Sequence, residues 1–552
     1  MAEGEPRRAP EDEAVARAPD DAAAPAPDGS PQPPPPPPPP RRAGWSPIDW
    51  LALSGVTIGS AALRLTRLAD PKHLIFDEVY YARDACWYVY TAPAVCGIDH
   101  ESTPVHPPMS KWLIALGIRL FGYDSFGWRI TAAIAGIVTV ALLYLLARKV
   151  LRSTLGATLA SGLLGIDFLH FVQSRTSMLD VFVPMFGVAA MLFVAYDRDR
   201  MLAMLERPPE ARPHRLLDRP WRLAAGAAGA GAVASKWSGG MILAVVILLT
   251  FAWEIGTRRR DGHPRPWRRF AREELPSIAV WLVILPVALY GLTYIGRIGG
   301  SYTALPWTAD AWVNNVWNQQ FEMAQFHDDL DATHSYQSPW WSWILLKRPV
   351  SYAYCGGSSC DPPAPQGEVK EVLATGSPFV WGASILAVLF ALFRWVRRWE
   401  WWKPKRDAVA SIGGPDGFVV AGFLLTYLPW IGLTWNREAV FIFYLLPTIP
   451  FMCLALAWVV TRIGWTWEAK AAVGLFAAGA VSLFVFYYPI LANVSIPEHQ
   501  WRARIKAFDD CEAPEPEKST SIVVETVDGK RVERIVTSTG DGGGPPRGWC
   551  WI

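Results

Sequence analysis

The apolar residues of this chain come in long blocks, and that feature limits the fold more than any other. Each block holds roughly 17 to 24 residues, the length a helix needs to cross a ~30 Å hydrocarbon layer. They recur near 47–66, 128–147, 154–172, 178–196, 222–238, 239–256, 276–295, 378–396, 416–433, 438–460 and 470–492. The expectation is an all-α polytopic membrane protein with about eleven transmembrane helices. The fifth block, RLAAGAAGAGAVASKWSGG (222–240), is built of small residues, which suits close helix packing. MSKWLIALGIRLFGY (109–123) is apolar but short, and reads as a helix lying in the membrane interface.

Residues 1–45 are different. APAPDGSPQPPPPPPPPRR is Pro-rich with no apolar face to bury, so a disordered, partly polyproline II tail is expected there. It lacks an apolar stretch ending in a small-residue cleavage site, so the first span is expected to act as an uncleaved insertion signal. ARKVLRS, the arginine-rich stretch after 196, GTRRRDGHPRPWRRFAR and RWVRRWEWWKPKR fall on the same side as the N-terminus if eleven spans are counted. The alternate loops 68–127 and 296–377 hold four Lys or Arg each. An excess of Lys and Arg marks the cytoplasmic side. Loops 68–127 and 296–377 and a C-terminal tail from 496 to 552 are therefore expected outside the cell membrane. A net charge of +2 suggests no nucleic-acid partner.

The cysteines point the same way. Cys86 and Cys96 lie in the first outer loop, Cys355 and Cys360 in the second large one, and Cys511 and Cys550 in the tail; only Cys453 lies in a span. Two thiols per outer segment fit disulfides in an oxidising compartment, although other pairings remain open.

HLIFDEVYYARDACWYVY then places two adjacent carboxylates, Asp77 and Glu78, at the outer membrane surface. Ionisable groups at membrane depth are functional candidates by default, though acids also favour helix N-termini. The same loop carries His106 before the Pro107–Pro108 pair, Lys111 after it, and Arg129 at the opening of the next span. Consecutive prolines stiffen the chain.

Together FDEVYYARDA, HPPMSKW and GWRITAAIAG resemble the first-loop signature of the protein O-mannosyltransferases. GAVASKWSGG (231–240), HSYQSPWWSWILLKRPVSYAY (334–354) and NREAVFIFYLLPTIPF (436–451) are similar, in order, to later blocks of that family. The resemblance runs from about 47 to 495 and implies a GT-C-type catalytic domain over 46–495. The 296–377 loop is too short for the family's eukaryotic sugar-binding trefoil, which implies the bacterial branch.

The resemblance implies inverting transfer of mannose from polyprenyl-phosphate-mannose to Ser or Thr hydroxyls of exported polypeptides, met at the secretion translocon. It makes Asp77 the candidate base, with Glu78 supporting it by positioning the acceptor or holding a cation. Arg129, Lys236 and Arg437 are candidates for the donor phosphate, and His106, His334, Tyr336 and Gln337 for the donor pocket. No cofactor is expected beyond the donor lipid. His327 stands near Asp328, Asp329 and Asp331, but loop acids are usually solvated, and no metal is expected. The tryptophans of SPWWSWILL (338–346) read as an interfacial belt. A lipid-A aminoarabinose or arabinosyl transferase of the same architecture is the nearest alternative. A transporter is the other, against which no internal repeat is found.

Overall fold

Residues flanking the apolar blocks carry the signals that start and stop their helices. The computed structural model describes residues 44–205, 218–260, 265–294, 309–330, 334–398, 414–464 except 436 and 438, 466–505, 518–527 and 530–539. α1 (Pro47–Leu65) opens on a capping box, in which the Asp49 N–H donates to the Ser46 hydroxyl and the Ser46 N–H to the Asp49 carboxylate. The next segment holds α2 (Glu78–Tyr90), α3 (Pro93–Cys96) and α4 (Met109–Phe121). Asp124 caps α5 (Ser125–Leu151) and Ser153 caps α6 (Thr154–Gly165).

The span expected at 154–172 is not one helix. It breaks at Ile166 and Asp167, and α7 (Phe168–Gln173) restarts with the Asp167 carboxylate accepting from the His170 N–H at 3.0 Å. An aspartate that can bond the backbone itself competes with helix continuation. Trp381 Nε1 donates to its other oxygen at 2.7 Å.

There follow α8 (Phe182–Leu205), α9 (Pro220–Ser235), α10 (Gly239–Arg260), α11 (Pro266–Glu273) and α12 (Leu275–Ala279). α12 widens into a π turn at Val280–Ile284 and resumes as α13 (Leu285–Leu292). α9 packs on this turn through Gly226, where a Cβ would collide with the Trp281 carbonyl. Small residues allow such approach between membrane helices. α14 (Ala309–Asp328) and α15 (Trp340–Trp343) precede a hairpin of β1 (Val350–Gly356) and β2 (Glu368–Ala374), and α16 (Pro378–Arg398) follows. Helices at Pro415–Tyr427, Trp430–Leu433, Ile449–Val460 and Trp467–Leu491 complete the bundle, with a 3₁₀ stretch at Ile442–Thr448. Among the described residues, eight helical stretches are long and apolar enough to cross a membrane. At the other three expected places, α6 and α9 are short and α8 carries the charged run Asp197–Arg200.

The core runs along Ile449–Val460, where Met452, Leu454 and Trp458 are fully enclosed. α1 and Trp467–Leu491 instead turn leucines outward, Leu51 and Leu475 being 74% exposed. Such apolar faces suit a lipid surround.

Polar residues gather at the two ends of the bundle. At one end Asp49 accepts from Arg148 Nε at 2.6 Å and from the Thr154 hydroxyl at 2.6 Å, and Lys149 pairs with Asp199 at 2.6 Å. Beside them Arg219, Arg222 and Arg258 are buried among Asp197, Glu254 and Glu274, with separations of 2.7 Å for Arg219–Glu274 and Arg222–Glu254. Buried charges cost several kcal/mol each to desolvate and persist only when paired this closely. Segments expected to share one side of the membrane thus meet at one end. Loops 68–127 and 296–377 hold α2–α4 and the β1–β2 hairpin.

There the fold departs from a purely helical design. β1 and β2 pair antiparallel, Val350 facing Ala374, with a bulge between Ser351 and Ala353. A short third strand, β3 (Ile496–Pro497), pairs with Glu368 and Val369 of β2. The first ten residues of the expected tail therefore belong to this sheet and the helix Glu498–Ile505 that follows it. Trp501 Nε1 and the Ser351 hydroxyl donate to the buried Glu371 carboxyl at 2.6 and 2.9 Å. Loss of solvent, with only neutral donors beside it, pushes that carboxyl up to about 8. Farther on, Lys518–Val527 and Lys530–Thr539 form a separate hairpin. Disulfides join Cys86 to Cys96 and Cys355 to Cys360. Cys511 and Cys550, and the N-terminal tail 1–43, lie outside the described residues.

Candidate active site

Asp77 and Glu78 are neighbours in sequence with separate fates, because successive side chains on a helix diverge by ~100°. Glu78 opens α2 and points inward, fully buried. Its Oε2 accepts from the Ile75 N–H at 3.1 Å and its Oε1 from the Ser177 N–H at 2.8 Å. Arg129 completes the shell, donating through Nε at 2.8 Å and Nη2 at 2.7 Å. The remaining Arg129 donors go to the carbonyls of Leu68, Pro71 and His73 at 3.4, 2.6 and 3.1 Å.

That count bears on two expectations: Glu78 takes the cation-holding one of its two expected roles, and Arg129 is committed to protein acceptors. A guanidinium has five N–H donors, and all five are spent inside the protein, so Arg129 has none left for a phosphate. Glu78 holds this cation and has no face toward the acceptor. The pair clamps the first loop to α5.

A second clamp lies farther along α2, nearly two turns on. Lys111, also fully buried, pairs with Asp84 at 2.8 Å and Glu101 at 2.7 Å and donates to the Thr103 carbonyl. Asp84 further accepts the backbone N–H groups of Ser102 and Thr103.

Asp77 takes no part in either clamp. As N-cap of α2 it uses its backbone carbonyl to receive the Tyr80 and Tyr81 N–H groups, while its carboxylate makes no capping bond. The half-buried carboxylate lies 3.5 Å from the Tyr81 hydroxyl. Burial pushes it up to about 7; the Lys236 ammonium works against that shift, and Asp180 adds to it. Just before it, Phe76 has φ +46°, a left-handed conformation that costs a bulky residue of order 1–3 kcal/mol. Its ring is held by stacking on Tyr352 at 4.5 Å and by edge contacts with Phe441 and Phe443. This aromatic wall fixes the backbone from which Asp77 projects.

The cations arrive from the far side. Lys236 ends α9 in extended conformation, in a tight turn where a Cβ on Gly239 would collide with the Ala232 backbone. Its ammonium sits 2.9 and 3.0 Å from the two Asp180 oxygens and 4.6 Å from the centre of the Tyr444 ring. Arg437 Nη1 approaches His327 Nδ1 at 3.4 Å, while His327 Nε2 bonds the Val105 carbonyl at 3.1 Å. Burial and the Arg437 cation hold His327 down at about 4, neutral, with both ring nitrogens engaged by protein. Its ring lies 5.4 Å from that of His106, which burial and the same cations keep well below its ordinary value.

The 334–348 segment folds on itself. The His334 N–H donates to Gln337 Oε1 at 2.8 Å, the Tyr336 N–H to His334 Nδ1 at 3.1 Å, and Arg348 bonds the Ser335 carbonyl. Gln337 and Tyr336 thus shape the turn that sets the His334 ring against Phe76 and Phe441 at 6.0 and 5.2 Å. The expected tryptophan belt is only partly one. Trp341 is 47% exposed, but Trp343 is fully buried, bonded to the Ser338 carbonyl at 2.8 Å.

The chain is similar to known proteins along most of its length. Residues 124–295 match the family profile described as dolichyl-phosphate-mannose-protein mannosyltransferase. Residues 312–508 match that of the C-terminal four-transmembrane region of protein O-mannosyltransferase. The chain is 32% identical over 499 residues to the polyprenol-phosphate-mannose–protein mannosyltransferase of Mycolicibacterium smegmatis, covering 83% of this chain and 92% of that one. This chain belongs to the protein O-mannosyltransferase family. It is also 30% identical over 510 residues to the Mycobacterium tuberculosis enzyme of the same name, covering 84% and 93%. In fold it is similar to the Saccharomyces cerevisiae protein O-mannosyltransferase complex bound to the sugar donor, with TM-score 0.65, 15% identity, and 84% and 92% of the two chains covered.

Within this mannosyltransferase-family fold, Asp77, Lys236, His106, His334 and Arg437 come together, whereas Glu78 and Arg129 serve the scaffold. Sequence reasoning passed over Asp180, Tyr81, Tyr352 and Tyr444. For Asp180 a signal existed, because an aspartate inside the apolar run 178–196 is costly unless it has a partner. The tyrosines carry no such mark among 17 in the chain.

Proposed function

We propose that this chain transfers mannose from polyprenyl-phosphate-mannose to Ser or Thr hydroxyls of exported polypeptides, at the outer face of the cell membrane. The observation that carries the reading is the Asp77 carboxylate, which has one long contact, to Tyr81, and lies within the influence of Lys236, while the neighbouring charges of the first loop are spent on each other. In this reading the chain crosses the membrane eleven times, with its N-terminus in the cytoplasm. Residues 46–495 form the catalytic unit, and 496–552 lie outside the cell. The client is met as it is exported, at the secretion translocon.

The transfer needs a base, a site for the leaving phosphate and a wall for the sugar. Asp77 Oδ takes the acceptor hydroxyl proton as that oxygen forms its bond to the anomeric carbon. The bond from that carbon to the phosphate oxygen breaks with its electron pair, and polyprenyl phosphate leaves. Attack opposite the leaving group inverts the anomeric centre. Negative charge beside the ring stabilises the oxocarbenium-like transition state. Lys236 and Arg437 meet the charge that grows on the phosphate, where preorganised cations act most strongly. Phe76, Tyr352, Phe441 and Tyr444, with His334 and His106, supply the pocket wall.

The test is transfer by the purified full chain from radiolabelled polyprenyl-phosphate-mannose to a Ser/Thr peptide, run beside the arabinosyl and glucosyl donor lipids. Mannose on the hydroxyl, with the opposite anomeric configuration to the donor, is expected. Transfer of another sugar in preference, or of none, refutes the reading.

A further inference from the structure

Lys236 differs from the other buried cations near the first loop. Arg129 and Lys111 spend every N–H on protein acceptors. Lys236 gives two of its three N–H groups to Asp180, and among the described residues the third has no protein acceptor. Asp180 stands at the entry to α8, its side chain 6% exposed, and its carboxylate holds the ammonium over the Tyr444 ring. A carboxylate this close to a lysine offsets the charge that would attract a phosphate. The reaction gives a reason for it.

The donor is a phosphodiester with one negative charge, and the product polyprenyl phosphate is a monoester that can carry two. A site with two unbalanced cations, Lys236 and Arg437, would hold the product more tightly than the donor and release it slowly. We infer that Asp180 is a positioning residue that fixes the Lys236 ammonium with one N–H free for the phosphate and offsets enough of its charge for the product to leave. The inference rests on the mannosyl-transfer reading and adds to it a residue set by charge balance. Asp180 also acts on the base. The charged and titratable groups facing Asp77 are Tyr81 on its own helix, Lys236 between α9 and α10, Asp180 before α8, Tyr352 on β1 and Tyr444 in the 3₁₀ stretch. Of these, Asp180 favours the protonated carboxyl and Lys236 the ionised one.

The experiment compares the full-length wild type, Asp180→Asn and Asp180→Glu in detergent with defined lipid. It measures binding of polyprenyl phosphate, donor KM, kcat and the pH profile of kcat/KM. Asn has the shape of Asp without the charge. In Asp180→Asn, polyprenyl phosphate should bind about tenfold more tightly, since a charge-assisted contact is worth at least that factor. Its kcat should fall while donor KM does not rise, and the acid limb of the profile should move to lower pH. Asp180→Glu, which keeps the charge, should recover wild-type product affinity to within about threefold. A purely structural role would raise KM and leave the acid limb in place. Unchanged or weaker product binding in Asp180→Asn, with an unmoved acid limb, overturns the inference. If Asp180→Asn does not accumulate, Asp180→Glu decides, and loss of product binding beyond about tenfold counts against. Mannosyl transfer by the wild type is read separately, so failure of the proposed function shows in the wild type and failure of this inference in the variants.

Discussion

Replacing Asp77 with Asn removes the base and keeps its shape. The carboxylate has one long protein contact, 3.5 Å to the Tyr81 hydroxyl, and the α2 terminus is satisfied by the Asp77 backbone carbonyl instead. The variant should therefore be no less stable than the wild type, and more stable at and above pH 7, where the wild type carries a desolvated charge. Turnover should fall about 10²–10⁴-fold, the usual contribution of a positioned general base, or about 3–5 kcal/mol of barrier. The pH profile gives a second reading. Removal from water holds the Asp77 carboxyl up at about 7. Its ionised, proton-accepting form is then about half populated at pH 7 and about a tenth at pH 6. Wild-type kcat/KM should climb with pH through 7 and level above 8, and the residual rate of Asp77→Asn should lack that limb. The assay is single-turnover transfer from labelled donor at saturating peptide, normalised to folded protein by size-exclusion chromatography. An Asn variant that keeps more than about a tenth of wild-type turnover, or a wild-type profile flat from pH 5.5 to 8, refutes the base assignment.

Glu78→Gln should behave in the opposite way to Asp77→Asn. It strips Arg129 of its buried counter-charge, a loss of about 3–5 kcal/mol, so folded yield and detergent melting temperature should collapse before any kinetic effect can be read. The Glu371 carboxyl, held up at about 8, stays protonated in the folded protein where the unfolded chain has lost its proton. Its stabilising contribution is complete below about pH 4.5 and is lost as pH rises through 8. Glu371→Gln should flatten that part of the melting-temperature profile while keeping the Trp501 contact, as thermal scans from pH 5 to 9 would show. Mass mapping without reductant should find Cys86 linked to Cys96 and Cys355 to Cys360. Reduction of the ten-residue Cys86–Cys96 separation should cost about 3 kcal/mol. Free thiols at all four positions would remove this constraint.

The places of the helices could be read from the chain because length and hydropathy belong to each segment alone. Even so, 154–172 broke at Asp167, whose buried carboxylate finds Trp381 more than 200 residues away. The small sheet escaped notice for a similar reason. β2 is sheltered by β1 on one side and by β3, from beyond the last long helix, on the other, and no local periodicity announces such a pairing.

At the site, residue types were legible and their employment was not. An acid pair, a stiff proline turn and several cations near the ends of apolar blocks mark a polar end of a bundle, and those are properties of short stretches. Which acid is free and which cation is spent depends on partners 51 residues away for Glu78 and Arg129, and 56 for Asp180 and Lys236. The amino-acid sequence by itself determined that the chain builds apolar helices long enough to cross a membrane, with ionisable residues gathered in the loops between them. Only the tertiary structure decided that Arg129 is a clamp, that the Asp77 carboxylate has one long contact, and that Lys236 comes with its own counter-charge. A charge is defined by its surroundings, and those are assembled only when distant segments pack.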